Sequence, residues 1–143
     1  MRREPSARAA AHPKPRRLFS LKEANRALPL VSRIIRDIVE SYGKISDLHS
    51  QEREHAAAGH AQMAQALNDQ VHEAMGAVDE FIEELREIGC EFKDPLQGLV
   101  DFPARLGNRI VYLCWKMGEP EIRWWHDLHS GFSGRQPIAG NFS

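Results

Sequence analysis

The sequence has few cysteines and no long apolar segment, and both absences restrict the classes of protein that it can encode. Cys90 and Cys114 are the only cysteines in 143 residues, and their spacing matches no zinc-binding or CxxC motif. They are typical of reduced thiols, so we expect a cytoplasmic protein. No stretch approaches the roughly 18 apolar residues of a membrane span, and none has the form of a signal peptide. We therefore expect no association with a membrane.

A strong net charge and the common catalytic motifs are also missing. The formal net charge is -1, which argues against a general affinity for nucleic acid or anionic lipid. We find no nucleophile elbow, phosphate-binding loop or Rossmann glycine pattern. An enzymatic activity is therefore not indicated, although the sequence does not exclude one.

The N-terminal tail, residues 1–17, is the one strongly basic segment. All of its charged residues are basic except Glu4, and it contains three prolines and almost no large apolar side chain. Such a segment cannot bury enough surface to offset the entropy lost on ordering, so we predict a disordered tail. A basic arm for nucleic acid is the alternative, but it is not favoured because the remaining chain is acidic.

Residues 18–138 are predicted to form a single α+β domain. Its parts are a long antiparallel helical hairpin (20–89), a β segment (90–129) that forms a small three- to four-stranded antiparallel sheet packed on the hairpin, and a C-terminal loop (130–143).

The hairpin is predicted from caps and from apolar periodicity. Ser20 and Glu23 can cap each other's backbone N–H groups, which indicates a helix start. Apolar residues then recur at alternating intervals of three and four, as in a coiled-coil seam. The first stripe is Ala24, Leu28, Val31, Ile35, Ile38, Tyr42 and Ile45, and the second is Leu67, Val71, Ala74, Val78, Phe81, Leu85 and Ile88.

The remaining signals locate the turn and the ends of the two helices. Ala56–His60 predicts the turn, Gly89 predicts the end of the second helix, and Pro29 is expected to kink or restart the first. The outer half, around Leu48–Leu67, extends beyond the β segment and must be buried arm to arm or against another molecule. The hairpin is therefore either a simple coiled coil or an arm that binds a protein partner or forms a homodimer.

Short runs of β-formers predict strands at 90–93, 99–105, 109–117 and 122–128. The turn Gly107-Asn108 pairs Leu106 with Arg109. This register places apolar residues opposite one another on one face, which we expect to pack on the hairpin. The pairs are Val100 with Trp115, Phe102 with Leu113, and Ala104 with Val111.

The second face of the predicted sheet has mixed chemistry. A two- or four-residue loop after Met117 places alternate residues of the last strand on it. This face is either solvated or binds a ligand or partner, because aromatic residues beside charged ones often contribute binding energy. Its predicted members are Asp101, Tyr112, Cys114, Arg123 and Trp125, and the same loop places Ile122, Trp124, His126 and Leu128 on the apolar face.

His126 is unusual because this register places it on the core face. It is either a neutral histidine that hydrogen-bonds a helix residue such as Asn25, or a general base or metal ligand where sheet meets helix. Asp101 would lie on the opposite face, so we do not expect these two residues to share an ion. Conceivable partners of His126 are Glu119, Glu121 and His129.

Several segments of the chain occur together in one known family. They are Phe19–Asn25, Leu28-Pro29, Lys93-Asp94, Gly98–Ala104, Tyr112–Trp115, Gly118–Ile122, Trp125-His126 and Gly131–Arg135. Over residues 18–138 the sequence resembles the family known as domain of unknown function 2203. The resemblance implies a small prokaryotic cytoplasmic protein and brings no established activity. The pattern shared by the family gives weight to six residues: Glu119, His126, Gly131, Phe132, Gly134 and Arg135.

The segment Gly131–Pro137 has two interpretations. It is either a flexible loop or a loop whose backbone N–H groups and Arg135 hold an anion.

Taken together, these features favour a non-enzymatic binding or protein-interaction module that uses the hairpin and the mixed face. The alternative is a metal- or small-anion-binding protein, or an enzyme, with a site around His126, Glu119 and Arg135. No cofactor is assignable, although a divalent metal fits. The candidate ligand-binding residues are Asp101, Tyr112, Cys114, Glu119, Arg123, Trp125, His126 and Arg135.

Overall fold

The computed structural model describes residues 17–139 and has an α+β fold. Two long helices are followed by a five-stranded antiparallel sheet of order β1-β2-β3-β4-β5. Except for Arg17, the tail predicted to be disordered lies outside the described residues. The elements are α1 (Leu21–Ala57), α2 (Ala61–Ile88), β1 (Glu91–Asp94), β2 (Leu99–Leu106), β3 (Arg109–Lys116), β4 (Trp124–His126) and β5 (Gln136–Pro137).

The caps predicted for the hairpin are confirmed. The Glu23 backbone N–H donates to Ser20 Oγ at 3.0 Å, and the Ser20 N–H donates to Glu23 Oε1 at 2.9 Å. Gly89 ends α2 in the left-handed conformation, with φ 114°. Helix α1 continues through Pro29 without the restart considered above. Within residues 17–139, neither helix combines the length and the apolarity that crossing a bilayer requires.

The apolar stripes of the two helices form the seam of the hairpin. Near the sheet, the stripes join the apolar face of β2 and β3 in one buried cluster. In the outer half, Ala64 and Leu67 are buried as well. Within the single chain, the outer half therefore packs arm to arm.

The β2–β3 register agrees with the prediction. Leu106 lies opposite Arg109, Val100 opposite Trp115 and Asp101 opposite Cys114. Because paired residues point to the same face, the turn alone divides these two strands into an apolar side and a mixed side.

The face predicted for β4 was wrong. His126 lies opposite Tyr112 and Trp124 opposite Cys114, so both belong to the mixed face, while Trp125 lies opposite Leu113 on the core face. The connection from β3 to β4 (residues 117–123) is longer than a tight hairpin turn and has an odd number of residues. An odd number shifts the register by one residue, which exchanges the two faces of the strand.

Two hydrogen bonds, one to α1 and one local, hold this connection in place. The Ile122 N–H donates to Asn25 Oδ1 of α1 at 2.8 Å, and the Lys116 N–H donates to Glu119 Oε1 at 2.8 Å. Asn25 therefore hydrogen-bonds the backbone of the connection. It does not hydrogen-bond His126, as we had considered from the sequence.

The described part of the C-terminal segment, residues 130–139, contains more structure than the loop we predicted for 130–143, of which residues 140–143 lie outside the described residues. A 3₁₀ turn (Phe132–Gly134) and β5 follow β4, and β5 pairs with β4. The segment also places Leu128, Gly131 and Phe132 against the mixed face of the sheet, where they line a cavity.

Candidate metal centre

The centre of the mixed face is buried and not solvated. Asp101 is 3% exposed, His126 2%, Cys114 1% and Tyr112 3%. Asp101 and His126 are the buried polar or charged residues among those the structure describes. Burial of two ionisable side chains is costly unless they are paired or bind an ion, so this cluster requires an explanation.

Three residues of metal-ligand type converge on this face from three adjacent strands. Asp101 lies on β2, Cys114 is its direct neighbour on β3, and His126 lies on β4. Their ligand atoms all lie within 4.8 Å of one another. Across residues 17–139, this is the one group of three or more such side chains with this geometry.

The backbone determines how the His126 ring is oriented. Its Nδ1 lies 2.7 Å from the carbonyl oxygen of Asp127, which can only accept, so Nδ1 carries a proton and donates. Nε2 lies 3.0 Å from Asp101 Oδ1. Burial by itself lowers the pKa of His126, but hydrogen bonds to Asp101 and Cys114 and the charge of Asp101 raise this pKa above its ordinary value. The ring therefore forms a buried ion pair with Asp101.

This arrangement differs from a Cys-His-Asp catalytic triad. In a triad, the histidine uses one nitrogen for the nucleophile and the other for the carboxylate. Here Asp101 and Cys114 both interact with His126, while Nδ1 is occupied by the Asp127 carbonyl. Oxygen, sulfur and nitrogen atoms thus lie within 4.8 Å of one another, an arrangement suited to metal coordination.

A second layer of polar residues surrounds the cluster. The Tyr112 hydroxyl donates to Glu91 Oε2 at 2.9 Å, and Lys93 Nζ lies 3.0 Å from Glu91 Oε1. Burial, together with Glu91, raises the pKa of Tyr112, so its hydroxyl stays neutral. Tyr112 also packs its ring beside His126, with centroids 5.5 Å apart.

A cavity of about 140 Å³ lies in front of the three residues. Its other walls come from three strands and from the segment after β4. They are Lys93, Leu99, Tyr112, Leu128, Gly131 and Phe132. The cluster is therefore buried yet adjoins a space large enough for a small molecule.

Glu119 and Arg135 do not join the cluster but support it from one side. Arg135 Nη2 lies 2.7 Å from Glu119 Oε1 and donates to the carbonyl oxygen of Cys114 at 3.3 Å. The guanidinium packs over Phe132 at 4.6 Å and over Trp124 at 5.1 Å. Arg135 is thus engaged within the protein and ties the C-terminal segment to β3.

The structure separates the other two candidate residues from the cluster. Arg123 is exposed and pairs with Glu121 at 3.2 Å, and Trp125 packs into the helix side of the sheet. Sequence reasoning missed the roles of Glu91, Lys93 and the Asp127 carbonyl. The pairing of β1 with β2 places Glu91 opposite Asp101, but no motif in the sequence predicts that pairing.

Comparison with known proteins identifies the family of the chain. The family model described as "Uncharacterized conserved protein (DUF2203)" matches residues 17–138, and the chain belongs to this family. No curated protein and no solved structure matches the chain. The geometry of the cluster is therefore the main guide to function.

Proposed function

We propose that this member of the DUF2203 family binds a divalent transition-metal ion, such as Zn²⁺, through Asp101, Cys114 and His126. The observation that carries the proposal is the convergence of three different ligand atoms at one buried point. Each residue comes from a different strand of the sheet, which is a rigid support for a coordination site.

The chemistry of the three ligands selects the type of metal. Zn²⁺ is commonly bound by cysteine sulfur, histidine nitrogen and carboxylate oxygen. Mg²⁺ and Ca²⁺ prefer oxygen ligands alone, so Cys114 and His126 argue against them. A borderline-soft ion of the zinc type is therefore the best match.

Charge balance is compatible with a metal at this position. A divalent ion would neutralise the Asp101 carboxylate and the Cys114 thiolate, and it would replace the proton on His126 Nε2. The buried site would then carry no net charge, as in the metal-free protein, where protonated His126 pairs with Asp101. Metal binding therefore adds no uncompensated buried charge, which would be costly.

The distances require only a small adjustment. Tetrahedral Zn²⁺ places its ligand atoms roughly 3.3–3.8 Å apart. The atoms of the cluster lie within 4.8 Å of one another, so no separation needs to shrink by more than roughly 1.5 Å. The 3.0 Å between His126 Nε2 and Asp101 Oδ1 needs to widen slightly. The hydrogen bond from His126 Nδ1–H to the Asp127 carbonyl is the outer-shell contact that metal-bound histidines usually make.

Titration of the full-length protein with Zn²⁺ and Co²⁺ tests the proposal. We expect one equivalent of metal to bind, with a thiolate-to-Co²⁺ charge-transfer band in the near ultraviolet. Asp101→Asn, Cys114→Ser and His126→Gln should each weaken binding by about tenfold or more, as loss of a ligand does. Cys90→Ser is the matched control, because Cys90 is also buried but is not part of the cluster, and it should bind metal normally.

X-ray absorption of the Zn²⁺-loaded wild type gives a second readout that needs no folded variant. One sulfur ligand at about 2.3 Å is expected beside lighter atoms at about 2.0–2.2 Å. Failure of the wild type to bind a stoichiometric metal, or a charge-transfer band that survives in folded Cys114→Ser, would refute the proposal.

We do not advance the helical hairpin as the functional surface. Its outer seam residues Ala64 and Leu67 are already buried within the single chain. The protein partner or homodimer expected from the sequence stays a prediction.

A further inference from the structure

We infer that the metal at this site keeps one coordination position open toward the adjoining cavity and takes a small oxyanion there, a carboxylate or a phosphate. The inference rests on the proposed metal site and names the ligand class that the site would accept. It begins from the number of ligands that the protein supplies.

The chain provides three ligands, and tetrahedral zinc takes four. In the described residues, no fourth His, Cys, Asp or Glu atom belongs to the cluster. Structural zinc sites are closed by four protein ligands, whereas sites with three protein ligands hold water or substrate in the fourth position. The composition of this cluster is therefore that of an open site.

Glu91 is the nearest alternative fourth ligand, because it lies opposite Asp101 on the neighbouring strand. Its carboxylate is already occupied. Oε2 accepts from the Tyr112 hydroxyl and Oε1 pairs with Lys93. These contacts hold Glu91 as part of the surrounding layer and leave the fourth position to a molecule from outside the chain.

The cavity determines how large this molecule can be. Its volume is about 140 Å³, which corresponds to roughly four or five water molecules at about 30 Å³ each. Leu99, Leu128 and Phe132 form apolar walls. A small ligand that has one polar group to bind the metal and few further atoms matches this space.

Lys93 supplies a cationic group at the cavity, because its ion pair with Glu91 Oε1 leaves other N–H donors of the ammonium for a ligand. Apart from the metal ligands themselves, it is the one charged residue among the residues lining the cavity, and its partner Glu91 does not line it. A metal balanced by Asp101 and Cys114 adds no net charge. An ammonium beside a coordination position favours an anion whose second oxygen can accept a hydrogen bond from it.

The visible spectrum of the Co²⁺-loaded protein reports directly on the fourth ligand. Acetate and inorganic phosphate are titrated separately at constant ionic strength, set with a weakly coordinating salt. We expect a saturable change in the Co²⁺ d–d bands with at least one of them, and the two titrations distinguish a carboxylate from a phosphate ligand. Lys93→Gln should weaken anion binding to the Co²⁺-loaded protein about fivefold.

Lys44→Gln is the matched control. Lys44 is an exposed lysine of α1 and does not line the cavity, so this variant should bind the anion as the wild type does. Equal weakening in the two variants would show that the anion does not bind in the cavity and would overturn the inference.

The two proposals fail in different ways. If Co²⁺ binds with its thiolate band while neither anion changes the d–d bands, the fourth position does not take these anions. The inference is then wrong, while the metal site stands. If Co²⁺ does not bind at all, both proposals are wrong.

Discussion

The two cysteines show how the surroundings of a residue determine its chemistry. Both are buried, Cys90 at 3% and Cys114 at 1% exposure. The Cys90 thiol donates to the carbonyl oxygen of Leu85 and belongs to the apolar cluster on the helix side. Cys114 lies on the other face of the sheet, beside Asp101 and His126. Only Cys114 is therefore placed to act as a metal ligand.

Cys90 leads to a prediction about stability at alkaline pH. Burial raises the pKa of its thiol from 9.0 to about 12, so the folded protein retains this proton where the unfolded chain loses it. Its contribution is fully present below about pH 9 and is lost as the pH rises toward 12. Urea unfolding at pH 8 to 11 should show a decline of at most about 1.4 kcal/mol per pH unit from this group.

Cys90→Ala serves as the comparison in that experiment. It removes the thiol, so its free energy of unfolding should start lower but fall less steeply with pH than that of the wild type. Parallel curves for the two proteins would contradict the assignment of this pH dependence to Cys90.

At the scale of elements, the end of α2 determines where the sheet begins. Gly89 adopts φ 114°, and its N–H donates to the carbonyl oxygen of Leu85. The left-handed residue reverses the chain so that β1 starts at Glu91, two residues later. This position places Glu91 beside Asp101 and thus brings the second layer of residues to the metal cluster.

Glycine substitutions within α2 and at its C-cap test the role of Gly89. Gly89→Ala should destabilise the protein by about 1–2 kcal/mol, because a side chain disfavours the left-handed conformation. The added Cβ would also meet the Arg17 side chain at 2.6 Å and the Phe19 ring at 3.3 Å. Chemical denaturation measures the change.

Gly76→Ala is the matched control in the same helix. Its added Cβ has no neighbour within 4 Å, and alanine is the better helix former, so we expect a gain of roughly 0.5–1 kcal/mol. If Gly89→Ala stabilises the protein as Gly76→Ala does, the helix cap does not have the role that we assign to it.

At the scale of the whole molecule, the protein has two halves. In one half the hairpin packs on the sheet, and in the other the outer hairpin extends beyond the sheet. All three tryptophans lie in or next to the sheet, on β3 and β4. Leu67 is buried in the outer hairpin but lies outside the main apolar cluster, whereas Leu85 belongs to it with 0% exposure. We therefore expect the outer hairpin to unfold more readily than the half that contains the sheet.

Two leucine substitutions distinguish the two halves. Leu67→Ala and Leu85→Ala should each cost about 2–4 kcal/mol, since both remove buried methyl groups. In Leu67→Ala, helical circular dichroism should be lost at lower urea concentration than tryptophan fluorescence, and Zn²⁺ affinity should not change. In Leu85→Ala, both signals should shift together.

Coincident transitions in Leu67→Ala would indicate that the hairpin and sheet unfold as one unit. That result would contradict the division of the molecule proposed here.

Much of the fold follows from local rules that operate within one element. The Ser20–Glu23 cap, the two apolar stripes and Gly89 define the helices. The turn at Gly107-Asn108 sets the β2–β3 register, because residues that close a tight turn leave only one pairing. Asp101 and Cys114 were therefore placed side by side correctly from the sequence alone.

The third member of the cluster was decided only by the tertiary structure. The face of His126 depends on whether the connection 117–123 has an odd or even number of residues, and that depends on contacts with distant groups such as Asn25 on α1. Burial of the mixed face likewise depends on the C-terminal segment, which Arg135 ties to Glu119 and to the Cys114 carbonyl. Alternation within a strand predicts two faces, but only contacts between elements far apart in sequence decide which face a residue such as His126 joins.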